Sequence, residues 1–137
     1  MAFKSGKLTI VTQIDEGQET SSSFAAEMVI SPSSVHLRYT ESGSLVVLAL
    51  KNDEITIDRT GDYNFHLRLK EGQNLPASLG VAGASGDLTA YTDFLRYSVK
   101  KNSFLLSMKY ALLFANGEKQ EMKIRLVARL EDNSEEK

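Results

Sequence analysis

From Phe104 to Leu130 the chain alternates apolar and polar residues almost without interruption around one Asn116-Gly117 turn, the pattern of a long antiparallel hairpin. Phe104, Leu106, Met108, Tyr110, Leu112 and Phe114 share one face of the first strand, and Met122, Ile124, Leu126 and Ala128 share one face of the second. Side chains directly opposed across a hairpin lie on the same side of the sheet, so parity reports the loop length. A two-residue loop at Asn116-Gly117 sets Tyr110 opposite Lys123 and Met108 opposite Arg125, mixing core with solvent. A three-residue loop from Ala115 to Gly117 instead opposes Tyr110 to Met122, Met108 to Ile124 and Leu106 to Leu126. The sequence therefore predicts a type I turn with Gly117 left-handed in a bulge.

Strand-like segments recur roughly every eight to twelve residues, and no window of helical length shows a 3.6-residue apolar period without equally good alternation. Strands are predicted near Lys7 to Asp15, Thr20 to Ile30, Val35 to Thr40, Leu45 to Lys51, Glu54 to Thr60 and Tyr63 to Lys70. Later ones fall near Asp87 to Thr92, Leu95 to Lys100, Ser103 to Phe114 and Lys119 to Leu130. For Glu54 to Lys70, parity favours a three-residue loop, Thr60 to Asp62, which opposes Ile55 to Leu67, Ile57 to Phe65 and Arg59 to Tyr63. Leu45 to Leu50 is apolar on both faces, so parity is silent there, and its outer face calls for a cover of further chain or a second subunit. About ten antiparallel strands, each with one apolar face and no helix to cover it, must close on themselves or fold into a sandwich. Long strands at both ends of the chain favour an all-β closed barrel, whose lumen is the default site for a ligand.

The 137 residues suffice for one domain with a substantial core. We read residues 1–130 as that domain and residues 131–137, almost all charged or polar, as an acidic tail. Cysteine is absent, which excludes a disulfide scaffold, thiolate metal ligands and cysteine nucleophiles. Residues 1–6 have no apolar core of a signal peptide, and the apolar run Leu45 to Leu50 is too short to span a bilayer, so a cytoplasmic protein is expected. A net charge of -2 gives no global pull toward nucleic acid or anionic membrane, and neither is expected as a partner.

Arg59-Thr60-Gly61 at a strand end, a Gly-containing loop ending at Gly86-Asp87-Leu88, then Thr92-Asp93 and the long final hairpin resemble the YwiB-like family of uncharacterised bacterial proteins, described as calycin-like β-barrels. The resemblance runs from about Val35 onward and is one of spacing more than identity. In place of a Tyr-x-Thr-Pro-Tyr-Gly-like stretch this chain has Val81-Ala82-Gly83-Ala84-Ser85-Gly86, so only the last Gly fits. The resemblance implies a lipocalin-like barrel and an intracellular bacterial protein, and it carries over no activity.

Arg59 shares the strand phase of Ile55 and Ile57 and is expected to point inward near one barrel end. A guanidinium there is suited to a ligand carboxylate or phosphate; the structural alternative is stacking on Tyr63 and pairing with a local carboxylate. Tyr39, Tyr97 and Tyr110 also fall on apolar phases and offer hydroxyls to a ligand, or simply core area. His36 and His66 fall out of phase with the core; His66 has Asp58 and Asn64 beside it on the outer face, a surface pair with no nucleophile in view. Two histidines on separate strands make no metal site, and no cofactor is expected. Gly80, Gly83 and Gly86 mark a flexible loop, a candidate lid rather than a phosphate cradle, since no helix follows. The stripe Lys119, Lys123, Arg125 and Arg129, with Lys109 opposite Lys123, lacks aromatics for stacking on RNA and reads as a solvated face.

The sequence thus favours a non-enzymatic binding module for a small, apolar or anionic ligand in the lumen, contacted by Arg59, Tyr63, Tyr39, Tyr97 and Tyr110. The alternative is a protein-interaction or homodimerisation module using Val46, Leu48, Leu105, Leu113 and Val127 in or near outward phases. An enzyme ranks third.

Overall fold

The computed structural model describes residues 3–81 and 84–131. Ten strands follow in chain order: β1 (Lys4–Ile14), β2 (Glu19–Ser31), β3 (Ser34–Glu41), β4 (Ser44–Lys51), β5 (Glu54–Thr60), β6 (Tyr63–Lys70), β7 (Asn74–Val81), β8 (Ala84–Lys100), β9 (Ser103–Phe114) and β10 (Lys119–Leu130). Each pairs antiparallel with its neighbours in sequence, and β1 pairs with β10 from Gly6 opposite Leu130 to Ile14 opposite Met122, closing the barrel. The expected all-β antiparallel closed barrel is the observed fold. Among the described residues no helix is long and apolar enough to cross a membrane.

The β9–β10 hairpin has the register that parity demands: Tyr110 faces Met122, Met108 faces Ile124 and Leu106 faces Leu126. Phe114 and Glu118 close a three-residue loop, and Gly117 adopts φ +90°. The β5–β6 hairpin differs. Ile55 lies opposite Leu69, Ile57 opposite Leu67 and Arg59 opposite Phe65, two residues out of the expected register. A two-residue slip preserves parity, so alternation cannot detect it. Its cause is tertiary: Thr60 pairs with Leu45 on β4, and Gly61 approaches Ser44 so closely that a Cβ there would overlap the Ser44 Oγ. The bend therefore follows Gly61, whose N–H lies 3.4 Å from Asn64 Oδ1.

Two strands differ from expectation. Asn74–Val81 is a strand that its Pro76, Gly80 and small residues conceal, and it pairs with β6 only from Tyr63 to His66. Asp87–Thr92 and Leu95–Lys100 are one strand, β8, interrupted by a bulge between Thr92 and Phe94. The bulge switches the inward phase from Leu88, Ala90 and Thr92 to Leu95. The β6–β7 turn staples it, Gly72 N–H donating to Thr92 O at 2.7 Å and Leu95 N–H to Glu71 Oε1 at 2.9 Å. Gly80 and Gly86, expected in a flexible loop, are strand residues instead, paired with Ser85 and Leu79 across the β7–β8 hairpin; Gly83 at its turn and the tail beyond Glu131 lie outside the described residues.

Core filling is uneven along the barrel axis. Leu8, Met28, Val35, Leu37, Ile55, Leu67, Leu69 and Phe104, all fully buried, cluster toward the near end, where β1 begins and β8 turns into β9. The far end, carrying the β3–β4, β5–β6 and β9–β10 turns, is where packing leaves space.

Open space surrounds the place that a Cβ would take at Gly117, so Gly117→Ala should cost only the left-handed backbone penalty, about 1 kcal/mol. At Gly6 a Cβ would stand 2.5 Å from the Arg129 carbonyl oxygen and from Met28 Cε, so Gly6→Ala should cost more, about 2 to 3 kcal/mol. Urea denaturation midpoints of the two variants measure the difference, and the opposite ranking would contradict the β1–β10 closure.

Candidate functional site

At the far end of the lumen lies a half-open cavity of about 220 Å³. Its walls are largely apolar, with Ile10, Phe24, Leu48, Ile57, Phe65 and Met108 among them. These residues reach it by strand alternation: Val46, Leu48 and Leu50 share the inward face with their partners Arg59, Ile57 and Ile55. The β2–β3 ladder stops at Ala26 opposite Tyr39, and the rings of Phe24 and Tyr39 meet there with centroids 4.8 Å apart.

Several polar groups line the cavity as well. Arg59 points inward, as its phase requires, and its side chain is only 13% exposed. Its Nη1 donates to Glu41 Oε1 at 2.7 Å, its Cζ lies 4.5 Å from the Tyr63 ring centroid, and its Nε is buried without a partner. Both the stacking on Tyr63 and a local carboxylate partner are thus realised, with the Nε–H left over. Tyr39 and Tyr110 line the same cavity. Burial pushes the Tyr39 hydroxyl up to about 12, with Glu41 adding to the shift and Arg59 opposing it. Burial also raises Tyr110, and Tyr39 adds to that shift. Both phenols are therefore neutral hydrogen-bonding groups throughout the physiological range.

Tyr97 does not join them. It shares an inward phase with its partner Leu106, but the bulge and the length of β8 carry it to the near end, where it is 39% exposed. Its hydroxyl donates to Asp53 in the β4–β5 turn, and that bond raises its pKa. The set expected from strand phase, Arg59, Tyr63, Tyr39, Tyr97 and Tyr110, is accordingly a cluster of four plus one distant tyrosine. Glu41 is the member that the sequence reading missed: it continues the inward phase of Val35, Leu37 and Tyr39 one step past the strand end expected at Thr40. It ends β3 at a rim, and the β3–β4–β5 meander brings it to Arg59 across β4, eighteen positions away in the chain.

On the outer wall, His66 lies directly opposite Asp58, with Nδ1 2.5 Å from Asp58 Oδ1. The β6–β7 register also sets Ser78 opposite His66 on its other flank, a neighbour the sequence does not disclose because nothing in it marks β7 as a strand. This row of Asp58, His66 and Ser78 stands exposed on a convex sheet face. A cleft that excludes water and donors for an oxyanion are what such a row would need for acyl transfer. His36 is likewise exposed. Among the described residues no group of three or more metal-ligating side chains comes together. Lys109 does face Lys123, and the stripe is partly neutralised: Lys119 meets Glu121 at 3.3 Å and Arg125 meets Glu19 at 3.2 Å.

The outer-face reading needs a correction. Val46 and Leu48 are buried in the lumen, 5% and 4% exposed, because pairing with β5 fixes the phase that a doubly apolar strand leaves open. Leu45 and Val47 take the outward positions on β4. They stand across the barrel from Leu105, Leu113 and Val127 on β9 and β10, several strands away in either direction, so the two sets form no common patch.

A family model for a domain of unknown function, DUF1934, matches residues 7–126. The chain belongs to the DUF1934 family. Its fold is similar to that of the YwiB protein from Bacillus subtilis, known from a crystal structure, with a TM-score of 0.79 over 95% of this chain and 94% of that one. The two sequences are 14% identical, so the likeness is one of fold. Comparison with curated proteins finds no match. The expected YwiB-like family and barrel are thus found, and the family model names no activity.

The buried phenols give an alkaline signature. Tyr39 is held above its ordinary value of 10 in the folded state, so its contribution is complete below about pH 10 and is lost as pH rises toward 12. Tyr110 acts in the same direction. Stability to urea should fall across that window, with phenolate absorbance of these two residues appearing together with unfolding. In Tyr39→Phe/Tyr110→Phe the decline should be shallower; an unchanged slope would show that the two phenols do not carry it.

Proposed function

We propose that this barrel is a non-enzymatic binding module that takes a small, largely apolar molecule into its far-end cavity. The observation that supports this most directly is the cavity itself: a largely apolar pocket about 220 Å³ in volume with a few polar groups among its walls. A few convergent polar groups in an apolar concavity are the usual composition of a small-molecule site. The volume lies below the ~300–1,000 Å³ of ordinary pockets, which favours a short-chain or single-ring occupant. Two features speak against catalysis at this place. Arg59 and Glu41 neutralise each other, and the raised phenols stay protonated, so among the described residues no activated nucleophile stands beside a base there. The lack of cysteine is in keeping with a reducing, cytoplasmic setting.

A second reading is an interaction or homodimerisation module acting through the outer face of β9 and β10, where Leu105 is 41% exposed and lies opposite Val127. A strictly monomeric protein at high concentration would argue against that reading.

Filling the cavity separates the two. Ile57→Phe should leave the circular dichroism spectrum unchanged and abolish ligand retention in native mass spectrometry. A ligand present at a hundredfold its Kd should stabilise the natural protein by about 2.7 kcal/mol and leave the filled variant unaffected. Purified protein that retains no small molecule and gains no thermal stability from small apolar compounds would remove the binding-module reading.

A further inference from the structure

We propose that the ligand of the far-end cavity is a monocarboxylic acid whose carboxylate is held by the Nε edge of Arg59, with a short apolar tail lying among Ile57, Phe65 and Met108. This assignment of ligand class rests on the binding-module reading above.

It starts from the guanidinium. A buried donor without an acceptor is costly, and structures that keep one usually keep a partner for it. Arg59 Nε is such a donor: sealed from water, unpartnered, and on a side chain that lines the cavity. Glu41 occupies Nη1. Guanidinium is planar, and its Nε edge presents two parallel N–H bonds of the kind a carboxylate accepts in bidentate fashion. The ring over the guanidinium is that of Tyr63, a rim residue 37% exposed, and Glu41 is itself at the rim with 42% of its side chain exposed. Both can shift outward without disturbing the core beneath them.

Charge selects the class of acid. Among the described residues Arg59 is the cation lining the cavity and Glu41 the anion, a balanced pair. One added negative charge can be met by Arg59 as Glu41 turns to solvent, at little cost for a pair whose carboxylate is so exposed. A phosphate dianion would exceed the single cation and face Glu41 as a like charge. The phenols of Tyr39 and Tyr110, protonated at neutral pH, are further donors lining the cavity. Apart from Thr12 and Ser22 the remaining lining is apolar, which suits a hydrocarbon tail.

Calorimetric titration of the full chain with hexanoate and with hexan-1-ol tests this, since the pair differ chiefly in the head group. The natural protein should bind hexanoate at least about tenfold more tightly, the equivalent of one charge-assisted hydrogen bond. Arg59→Met should lose that preference while still binding hexan-1-ol, which also shows that the variant is folded. Glu41→Gln, which removes the competing carboxylate and leaves the core intact, should bind hexanoate more tightly and hexan-1-ol unchanged. Equal binding of both compounds by the natural protein would overturn the carboxylate assignment and leave the cavity reading standing. Weaker hexanoate binding by Glu41→Gln would overturn it in the same way. Failure of both compounds to bind would remove the cavity reading and the acid with it.

Discussion

The ladder between β1 and β10 is the constraint on which the molecule depends. The other strand pairings join neighbours in sequence, but this one joins Gly6–Ile14 to residues more than a hundred positions away. Without it the sheet would have two long edges, each a template for aggregation, and one apolar face open to water. With it the sheet has no free first or last strand, and the inward set from Leu8 to Ala128 becomes a common core. Gly6 is where the demand is sharpest, since β1 passes so near Arg129 and Met28 that no side chain fits. A contact this distant in sequence carries a large loop-closure cost, so it is expected to form late in folding.

Closure also makes the cavity. Ten strands enclose more space than the eight of a barrel just filled by side chains. At the near end large residues such as Phe104, Met28 and Leu37 take up that space. At the far end the inward positions hold Thr12, Ser22, Glu41 and Arg59, which are shorter or turned toward the rim, and a void remains. The polar cluster is thus a product of circumference: Glu41 comes from β3, Arg59 from β5 and Tyr110 from β9, and they converge only because the sheet is curled.

Among the described residues, three buried side-chain groups lack a hydrogen-bond partner: Arg59 Nε, Ser44 Oγ and Thr92 Oγ1. Ser44 has a packing account, because Gly61 lies against it. Thr92 sits at the bulge in β8, where its backbone is held by Gly72 and Gln73 and its side chain takes whatever orientation the bulge imposes. Of the three, Arg59 alone combines an unmet donor with a cavity, a charge and neighbours at the rim, which is why it carries the ligand assignment.

What the sequence determined by itself is everything that side-chain alternation encodes. The all-β class, the three-residue β9–β10 loop with left-handed Gly117, the inward phase of Arg59 and the outward phase of His66 follow from a period of two applied within one hairpin. That period cannot sense displacements by two, so the β5–β6 register was decided by Gly61 packing on Ser44. Nor can it sense a phase change inside a strand, so the bulge after Thr92 made one strand look like two, or a strand whose Pro76 and small residues imitate a loop. The phase of β4, apolar on both faces, was settled by its partner β5. Tertiary structure alone decided which groups share the far-end cavity, since Tyr110 on β9 stands several strands from Arg59 on β5 in either direction and meets it only across the closed sheet, whose curvature belongs to no single strand.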